Sequence, residues 1–336
     1  MIDYKAIRDL HLEISTYCNA SCPWCPRNFW GYPFNGGYPE VNLTLSNTKK
    51  IFPDQFIQQL SSIRVNGNFG DIVMNPEGLD IIGHFRSVSP GVSIDISTNG
   101  SARAADFWVG LARVGAVVHF ALDGLEDTHH LYRQNTVWKT VIKNARTFIA
   151  NDGRAVWKMI QFRHNQHQID AARSMSKDLG FERFDLAQSQ RTSAPVFDKH
   201  GNLSHVLGDY QDETRFDILF FKKINDEVLL EDITPGRTPK KNIDCETKRL
   251  KSIYVAANGD VSPCCYTGFY PNTYGKGQYH QAVNAQLTPL IAKNNALEYP
   301  LEQCIQWFQA VEASWNKSAY QDGRLVICDD NCGSDF

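Results

Sequence analysis

The sequence predicts an α/β protein: a sheet of parallel strands with crossover helices over residues 1–189, a connecting segment over 190–243, and a small cysteine-rich domain over 244–336. Three observations carry this. About six strand-like segments alternate with helical ones between residues 8 and 187. That periodicity is lost across 190–243, which mixes proline, glycine and charge (TSAPVFDKHGN, EDITPGRTPKKN). The nine cysteines fall into two groups: Cys18, Cys22 and Cys25 near the start, and Cys245, Cys264, Cys265, Cys304, Cys328 and Cys332 near the end.

Residues 8–14 (RDLHLEI) alternate as a strand that runs straight into the cysteine triplet. Residues 52–63 read as a helix, with Pro53 in its first turn and Phe56, Ile57, Leu60 and Ile63 on one face. A strand is expected around Asp71–Met74 and a short helix near Leu79–Phe85. Residues 92–97 (VSIDIS) form the next strand, and Asn99–Gly100 turns the chain. A helix over 104–114 points Phe107, Trp108, Leu111 and Val114 inward and stops at Gly115. Residues 116–122 read as a buried strand that ends at Asp123–Gly124. Val137, Val141, Ala145 and Phe148 mark a helix closed by Gly153, and 155–162 is a strand. A helix from Asn165 to Leu179 stops at Gly180, and Phe181–Leu186 is the last strand of the series. Such alternation demands a parallel sheet with crossover helices, and a doubly wound sheet and an open barrel both satisfy it. In either, the loops at the carboxyl ends of the strands carry the chemistry. Some helix is expected near 213–224 in the connecting segment.

Hydrophobic residues at 42% and charged residues at 21% suit a globular chain and exclude a mainly disordered one. A net charge of −3, from 34 basic and 37 acidic residues, carries no strong nucleic-acid or membrane signal. No apolar run approaches the ~18 residues that cross a bilayer. The N-terminus, MIDYKAIRDL, lacks the basic and apolar regions of a secretory signal, so a cytoplasmic protein is expected.

Secreted disulfide scaffolds spread an even number of cysteines through a short chain. Here the number is odd, the chain is long and the cysteines are segregated, which points to metal or cluster ligation in a reducing compartment. Cys18, Cys22 and Cys25 have the spacing C-x3-C-x2-C directly after the first strand. Three thiolates on one loop can hold three irons of a [4Fe–4S] cluster and leave the fourth open, whereas most protein clusters have four cysteine ligands. The plainer alternatives are three ordinary buried thiols or a zinc loop with a distant fourth ligand, although structural zinc prefers paired knuckles.

This triplet, in the loop after the first strand, resembles that of the radical S-adenosylmethionine enzymes, whose fold is a partial (β/α)6 barrel. Trp24 matches the aromatic residue that precedes the third cysteine and lies against the adenine. Gly67-Asn68-Phe69-Gly70-Asp71 is similar to the glycine-rich segment that meets the methionine amino group, in the variant where a Gly-Asp pair replaces Gly-Gly-Glu. Thr98-Asn99-Gly100 follows the third strand and Asp123-Gly124 the fourth, and Arg133 of LYRQN looks like the arginine aimed at the methionine carboxylate. Taken singly, an Asn-Gly is often only a turn and an arginine only an ion-pair partner; the resemblance rests on their order over residues 8–187. It implies a site-differentiated [4Fe–4S] cluster on Cys18, Cys22 and Cys25, with S-adenosylmethionine bound by Trp24, Gly70, Asp71, Thr98, Asn99 and Arg133. It further implies reductive cleavage to a 5′-deoxyadenosyl radical that abstracts a substrate hydrogen, with electrons from an external donor such as flavodoxin or ferredoxin.

Cys245 is followed by thirteen residues, Gly259, four residues and Cys264. This C-x13-G-x4-C spacing, with the strand–turn–strand IYVAANGDVSPCC, resembles the auxiliary-cluster domain called SPASM, or its shorter version called twitch, with Asn258–Gly259 as the turn. The long form needs seven or eight cysteines for two clusters, and only six are present. The resemblance therefore implies one auxiliary [4Fe–4S] cluster, held by Cys245, Cys264 and the returning Cys328 and Cys332. Cys304, within LEQCIQWFQAVEASW, reads as a core thiol. Cys265 stays open between a ligand and an active-site thiol, and a zinc ribbon is the rival account of the whole set. Lys240, Lys241, Lys248, Arg249 and Lys251 around Cys245 form either a solvated charged face or a cationic surround for an anionic cluster.

Among relatives of this kind, the resemblance implies an oxidoreductase or maturase that modifies a peptide or protein by oxidation, crosslinking or epimerisation. The alternatives are a radical dehydrogenase or rearrangement enzyme for a small molecule of aminosugar or nucleotide type, and a non-catalytic iron–sulfur or zinc redox sensor. The first strand begins near residue 8, which leaves no room for the N-terminal peptide-binding domain of many peptide maturases; such a domain can be a separate protein.

Overall fold

Six parallel strands stand side by side in sequence order in the computed structural model, which describes residues 2–33, 38–188, 194–208, 236–270 and 278–335. They are β1 (Asp9–Leu12), β2 (Ser62–Val65), β3 (Ser93–Thr98), β4 (Val117–Ala121), β5 (Arg154–Gln161) and β6 (Arg183–Gln188). The sheet continues past β1: β7 (Ser252–Val255) pairs parallel with it, Leu12 beside Val255, and β8 (Val261–Ser262) pairs antiparallel with β7. Among the described residues β6 and β8 do not pair, so the sheet is open.

The crossover helices are α1 (Leu45–Ile51), α2 (Asp54–Gln59), α3 (Gly78–Val88), α4 (Ala105–Val114), α5 (Trp138–Ile149) and α6 (Ile169–Asp178). Successive strand residues point to opposite faces. Leu10, Ile63, Ile94, Ile96, Val118, Phe120, Trp157 and Met159 are all buried on the helix side. Burying each such side chain contributes about 1.5–3 kcal/mol. Aromatic rings fill this layer, with Trp108 5.3 Å from Phe120 and Trp157 5.4 Å from Phe181. The indole of Trp157 donates to Leu122 O at 2.9 Å, so its burial leaves no polar group unpaired.

Two elements differ from expectation. The helix read over 52–63 is only α2, which starts after Pro53 and stops at Gln59; a separate helix, α1, precedes it, and the end of the expected helix is strand β2. Ile63 continues the helical spacing of Phe56 and Leu60, but Ser61 N and Ser62 N donate to Arg8 O at 2.7 and 3.1 Å, and this pairing with the first strand wins. The strand expected at Asp71–Met74 is a single 3₁₀ turn, Ile72–Met74, because the Asp71 carboxylate accepts from Val73 N at 3.1 Å and caps it. The helix expected near 213–224 lies outside the described residues. In the connecting segment, Ala194–Phe197 and Leu203–Leu207 form an antiparallel ribbon whose Val196 and Leu207 pack beside Ala20, Cys22, Tyr132 and Phe162.

The C-terminal segment is built onto the β7–β8 hairpin. Gly259 makes its turn at φ +91°, and a Cβ there would lie 2.8 Å from Leu297 Cγ. The helices α7 (Cys265–Phe269), α8 (Phe308–Ser314) and α9 (Val326–Cys332) surround it. A buried ion pair holds α9 in place: Arg324 Nη2 lies 2.8 Å from Asp329 Oδ1, Tyr320 donates to Asp329 Oδ2 at 2.7 Å, and Arg324 donates to Lys240 O at 2.6 Å. Lys240 N closes the ring by donating to Asp329 Oδ2 at 3.0 Å. Removing one partner of such a pair leaves an uncompensated charge. Asp329→Ala should therefore destabilise the chain by about 3–5 kcal/mol, read as a shift in the urea midpoint; a change within ~1 kcal/mol would show that the pair is not needed.

Candidate functional site

Where β1 ends, Glu13 enters the carboxyl edge of the sheet with no solvent exposure. Its Oε1 accepts from Phe69 N at 2.7 Å and Gly70 N at 3.0 Å, and its Oε2 accepts from Tyr254 Oη at 2.8 Å. Burial pushes the Glu13 carboxyl above its ordinary range, against the pull of these donors. The loop it holds lies directly on the chain leading to the triplet. A Cβ on Gly70 would fall 1.8 Å from Ser15 O, so only glycine fits there.

The next residue ties the loop to β3. Asp71 Oδ1 accepts from Thr98 Oγ1 at 2.6 Å, and Oδ2 accepts from Asn99 N at 2.6 Å. Burial raises the Asp71 pKa. Asn99 Nδ2 in turn reaches Asn19 Oδ1 at 3.0 Å and Cys18 Sγ at 3.6 Å. From the other side, Arg133 Nε donates to the buried Asp123 Oδ2 at 2.6 Å, and its Nη1 is 3.7 Å from Cys22 Sγ. Asp123 is itself fixed, because its Oδ1 accepts from Ile160 N at 2.6 Å. Burial opposes the Arg133 charge, but Asp123 and Cys22 outweigh it and push its pKa up.

Within the triplet, Cys25 N donates to Cys22 O at 2.8 Å, and Asn28 Nδ2 donates to the same oxygen at 2.9 Å. Burial pushes the Cys22 thiol up to about 11 and raises Cys18 as well. A coordinating metal ion reverses such a shift and deprotonates the thiol outright. Trp24 stands edge-on to Trp30, ring centres 4.3 Å apart, and its buried Nε1 has no hydrogen-bond partner among the described residues. Cys18, Cys22, Cys25, Trp24, Gly70, Asp71, Thr98, Asn99 and Arg133 all line one cleft of ≈ 1130 Å³, open to solvent at the carboxyl end of the sheet. Three thiols, an indole ring and an arginine on one cleft fit an iron–sulfur cluster with a nucleoside-bearing cofactor.

Asn66, Ser97, His119 and Lys158 also line the cleft and were not expected there. So was Glu13 not expected as the loop's anchor. A signal for them exists in the sequence: Asp9, His11 and Glu13, then Arg64 and Asn66, then Asp95 and Ser97, put polar residues at every second position of their strands.

The distant cysteines form a second group. Cys245, Cys264, Cys328 and Cys332 line a single small cavity with Thr247, Thr267 and Trp315. Cys264 caps α7, its Sγ 3.5 Å from Thr267 Oγ1, and Cys245 Sγ lies 3.2 Å from Thr247 Oγ1. A hydrogen bond from Cys332 holds the Cys245 thiol down to about 6 and raises Cys332, while burial pushes Cys328 up to about 12. Among the described residues no three His, Cys, Asp or Glu side chains are placed to hold a single ion. Cys304 lies outside the cavity, buried, with Sγ 3.6 Å from Tyr299 O. Cys265 does not line it either; its carbonyl accepts from Asn68 Nδ2 at 2.9 Å. Of the nearby cations, Lys240 pairs with Asp335 at 2.6 Å, Lys248 with Glu312 at 3.0 Å and Arg249 with Asp244 at 3.8 Å.

No family model matches the sequence, and no curated protein matches it. Among solved structures the chain is similar to SuiB from Streptococcus suis, at 15% identity and a TM-score of 0.59 over 97% of this chain and 73% of that one. SuiB bound to the precursor peptide SuiA matches at 12% identity and a TM-score of 0.54, over 96% and 76%. Native anSMEcpe with bound AdoMet and the Cp18Cys peptide matches at 12% and 0.52, over 97% and 92%. These neighbours are radical S-adenosylmethionine enzymes, and at such identities the likeness is one of fold.

Glu13→Ala would strand two backbone donors and the Tyr254 hydroxyl, each costing about 1–3 kcal/mol when buried unpaired. A loss of about 3 kcal/mol or more in urea unfolding is expected for Glu13→Ala, and a smaller one for Glu13→Gln, which keeps an acceptor. Equal losses for the two variants would refute this account of the loop.

Proposed function

We propose that this chain, which has the fold of the radical S-adenosylmethionine enzymes, is itself such an enzyme and modifies a peptide or protein substrate. Cys18, Cys22 and Cys25 would hold a site-differentiated [4Fe–4S] cluster, with S-adenosylmethionine in the adjoining cleft. The observation that carries this reading is the convergence, on that one cleft, of the three thiols with Trp24, Gly70, Asn99 and Arg133. When bound, the cluster and cofactor supply one-electron cleavage and a 5′-deoxyadenosyl radical that removes a hydrogen atom from the substrate.

The chain's own residues have distinct tasks. Arg133, oriented by Asp123, presents a cation suited to the methionine carboxylate. Gly70 lets the loop lie against the Ser15 and Thr16 backbone that leads into the triplet, where a Cβ would clash. Asp71 has both oxygens engaged by Thr98, Asn99 and Val73, and acts by fixing the Thr98–Asn99 turn. Asn99 directs an amide N–H at Cys18 Sγ, and hydrogen bonds to cluster sulfurs tune the reduction potential. Trp24 lines the cleft and would offer its ring to the adenine.

Cys245, Cys264, Cys328 and Cys332 would hold one auxiliary [4Fe–4S] cluster of SPASM or twitch type. The four thiols line one cavity, and zinc on the same set is the rival occupant that metal counts decide against or for. A peptide substrate is favoured because two of the structures with this fold hold peptides and because the cleft is open. Electrons would come from an external donor such as flavodoxin or ferredoxin. Among the described residues no helix is long and apolar enough to cross a membrane.

Anaerobic reconstitution followed by iron counts and assay of 5′-deoxyadenosine tests this reading. The wild-type chain should bind about eight irons, and the Cys18→Ala/Cys22→Ala/Cys25→Ala variant about four, with no 5′-deoxyadenosine. Product from the triple variant would exclude the first site. Alanine at any of Cys245, Cys264, Cys328 or Cys332 should remove about four irons and leave 5′-deoxyadenosine formation in place, whereas Cys304→Ala should keep all its iron. Loss of the second set in Cys304→Ala, with retention in Cys328→Ala, would redraw the ligand set around Cys304.

A further inference from the structure

Polar hydrogens stand close to the sulfurs of the second cavity. The Thr247 hydroxyl lies 3.2 Å from Cys245 Sγ and has no other partner among the described residues. Thr247 belongs to the helical turn Glu246–Arg249 that follows Cys245. Trp315, at the end of α8, lines the same cavity, and its buried Nε1 closes no hydrogen bond with any described residue. Its N–H nevertheless acts on one sulfur: burial and then Cys264 push the Cys328 thiol up, and Trp315 pulls it down. The indole is held from its other surroundings by Lys248, whose ammonium lies 5.3 Å from the ring centre and pairs with Glu312 at 3.0 Å. Thr267 differs from both. Its hydroxyl is 3.5 Å from Cys264 Sγ but donates to Cys264 O at 3.0 Å. A hydroxyl carries one proton, so Thr267 has spent its own on the backbone.

A buried N–H left without an acceptor is destabilising, and a thiolate offers a better acceptor than a thiol. A cysteine that ligates a metal has lost its proton, which leaves its sulfur an acceptor only and makes Thr247 the donor. Each such bond offsets negative charge on the sulfur. The reduced form of a cluster carries one more electron than the oxidised form, so it gains more from the bond, and the reduction potential rises. We infer that Trp315 and Thr247 raise the reduction potential of the auxiliary cluster by donating to the Cys328 and Cys245 sulfurs, and that Thr267 does not. The inference rests on the auxiliary cluster proposed above, and the two can fail separately: metal counts judge the cluster, and its potential judges the donors.

The experiment uses the full-length Cys18→Ala/Cys22→Ala/Cys25→Ala chain as the parent, reconstituted anaerobically, and follows reduction of the second site by EPR at controlled potentials. Trp315→Phe keeps a ring beside Lys248, and Thr247→Val keeps the shape of the side chain. Each should make reduction roughly three- to tenfold less favourable, a fall of about 30–60 mV for one electron. Thr247→Ser should restore the parent potential, and Thr267→Val should stay within about twofold of it. Iron should remain at about four per chain in every variant. A second readout needs no substitution: with the tryptophan indole nitrogens isotopically labelled, pulsed EPR of the reduced parent should show coupling to a labelled nitrogen. The inference is overturned if Trp315→Phe or Thr247→Val, with its iron retained, leaves the potential within about twofold of the parent. It is equally overturned if Thr267→Val moves the potential as far as Thr247→Val does, or if no labelled nitrogen couples to the cluster. A parent chain that holds zinc, or no iron, removes the auxiliary-cluster reading and this inference with it, whereas a bound cluster with an unmoved potential removes the inference alone.

Discussion

Glu13 joins three stretches of chain that are far apart in sequence, and it does so without any contact with water. It leaves β1 just ahead of the cysteine triplet, takes two backbone N–H groups of the glycine-rich loop after β2, and accepts the hydroxyl of Tyr254 on β7. A buried carboxylate is costly unless its oxygens are satisfied, and here three donors satisfy it. The geometry of the cleft follows from this anchor. With the loop pinned, Gly70 can lie on Ser15 O, Asp71 can reach Thr98 and Asn99, and Asn99 can reach Cys18.

The polar face of the sheet decides what kind of α/β protein this is. A doubly wound sheet packs helices on both faces and needs apolar residues on both. Here Leu10, Ile63, Ile94 and Val118 face helices, while His11, Arg64, Asp95 and His119 occupy the alternate positions. Such strands can be stable only if the polar side lines a lumen or cleft. Ion pairs such as Arg64–Asp9 and His119–Asp95 make that lining tolerable by pairing its charges in place.

The two cysteine groups are more closely connected than a separation of over 200 residues suggests. The β7–β8 hairpin extends the barrel sheet, so the C-terminal cysteines are carried on the same scaffold as the triplet. Asn68, in the loop that Glu13 pins, donates to Cys265 O at the start of α7, and Phe69 stacks on Phe269 with ring centres 5.6 Å apart. The residue that caps α7 is Cys264.

From the sequence alone come the alternation of strands and helices, the stops at Gly115 and Gly180, the triplet and its spacing, and the hairpin turn at Gly259. Each rests on local chemistry: hydrophobic period, backbone freedom or ligand spacing. The identity of β2 was not legible, because Ile63 fits the helical spacing of Phe56 and Leu60, and only hydrogen bonds to Arg8 make it a strand. Nor could the sequence say that Asp71 is spent on Thr98 and Asn99 or that Glu13 anchors the loop. These are long-range pairings. A residue's neighbours along the chain set its preferences, but a buried polar group takes whichever partner the folded chain brings within about 3 Å, and that choice is made only when the sheet closes around it.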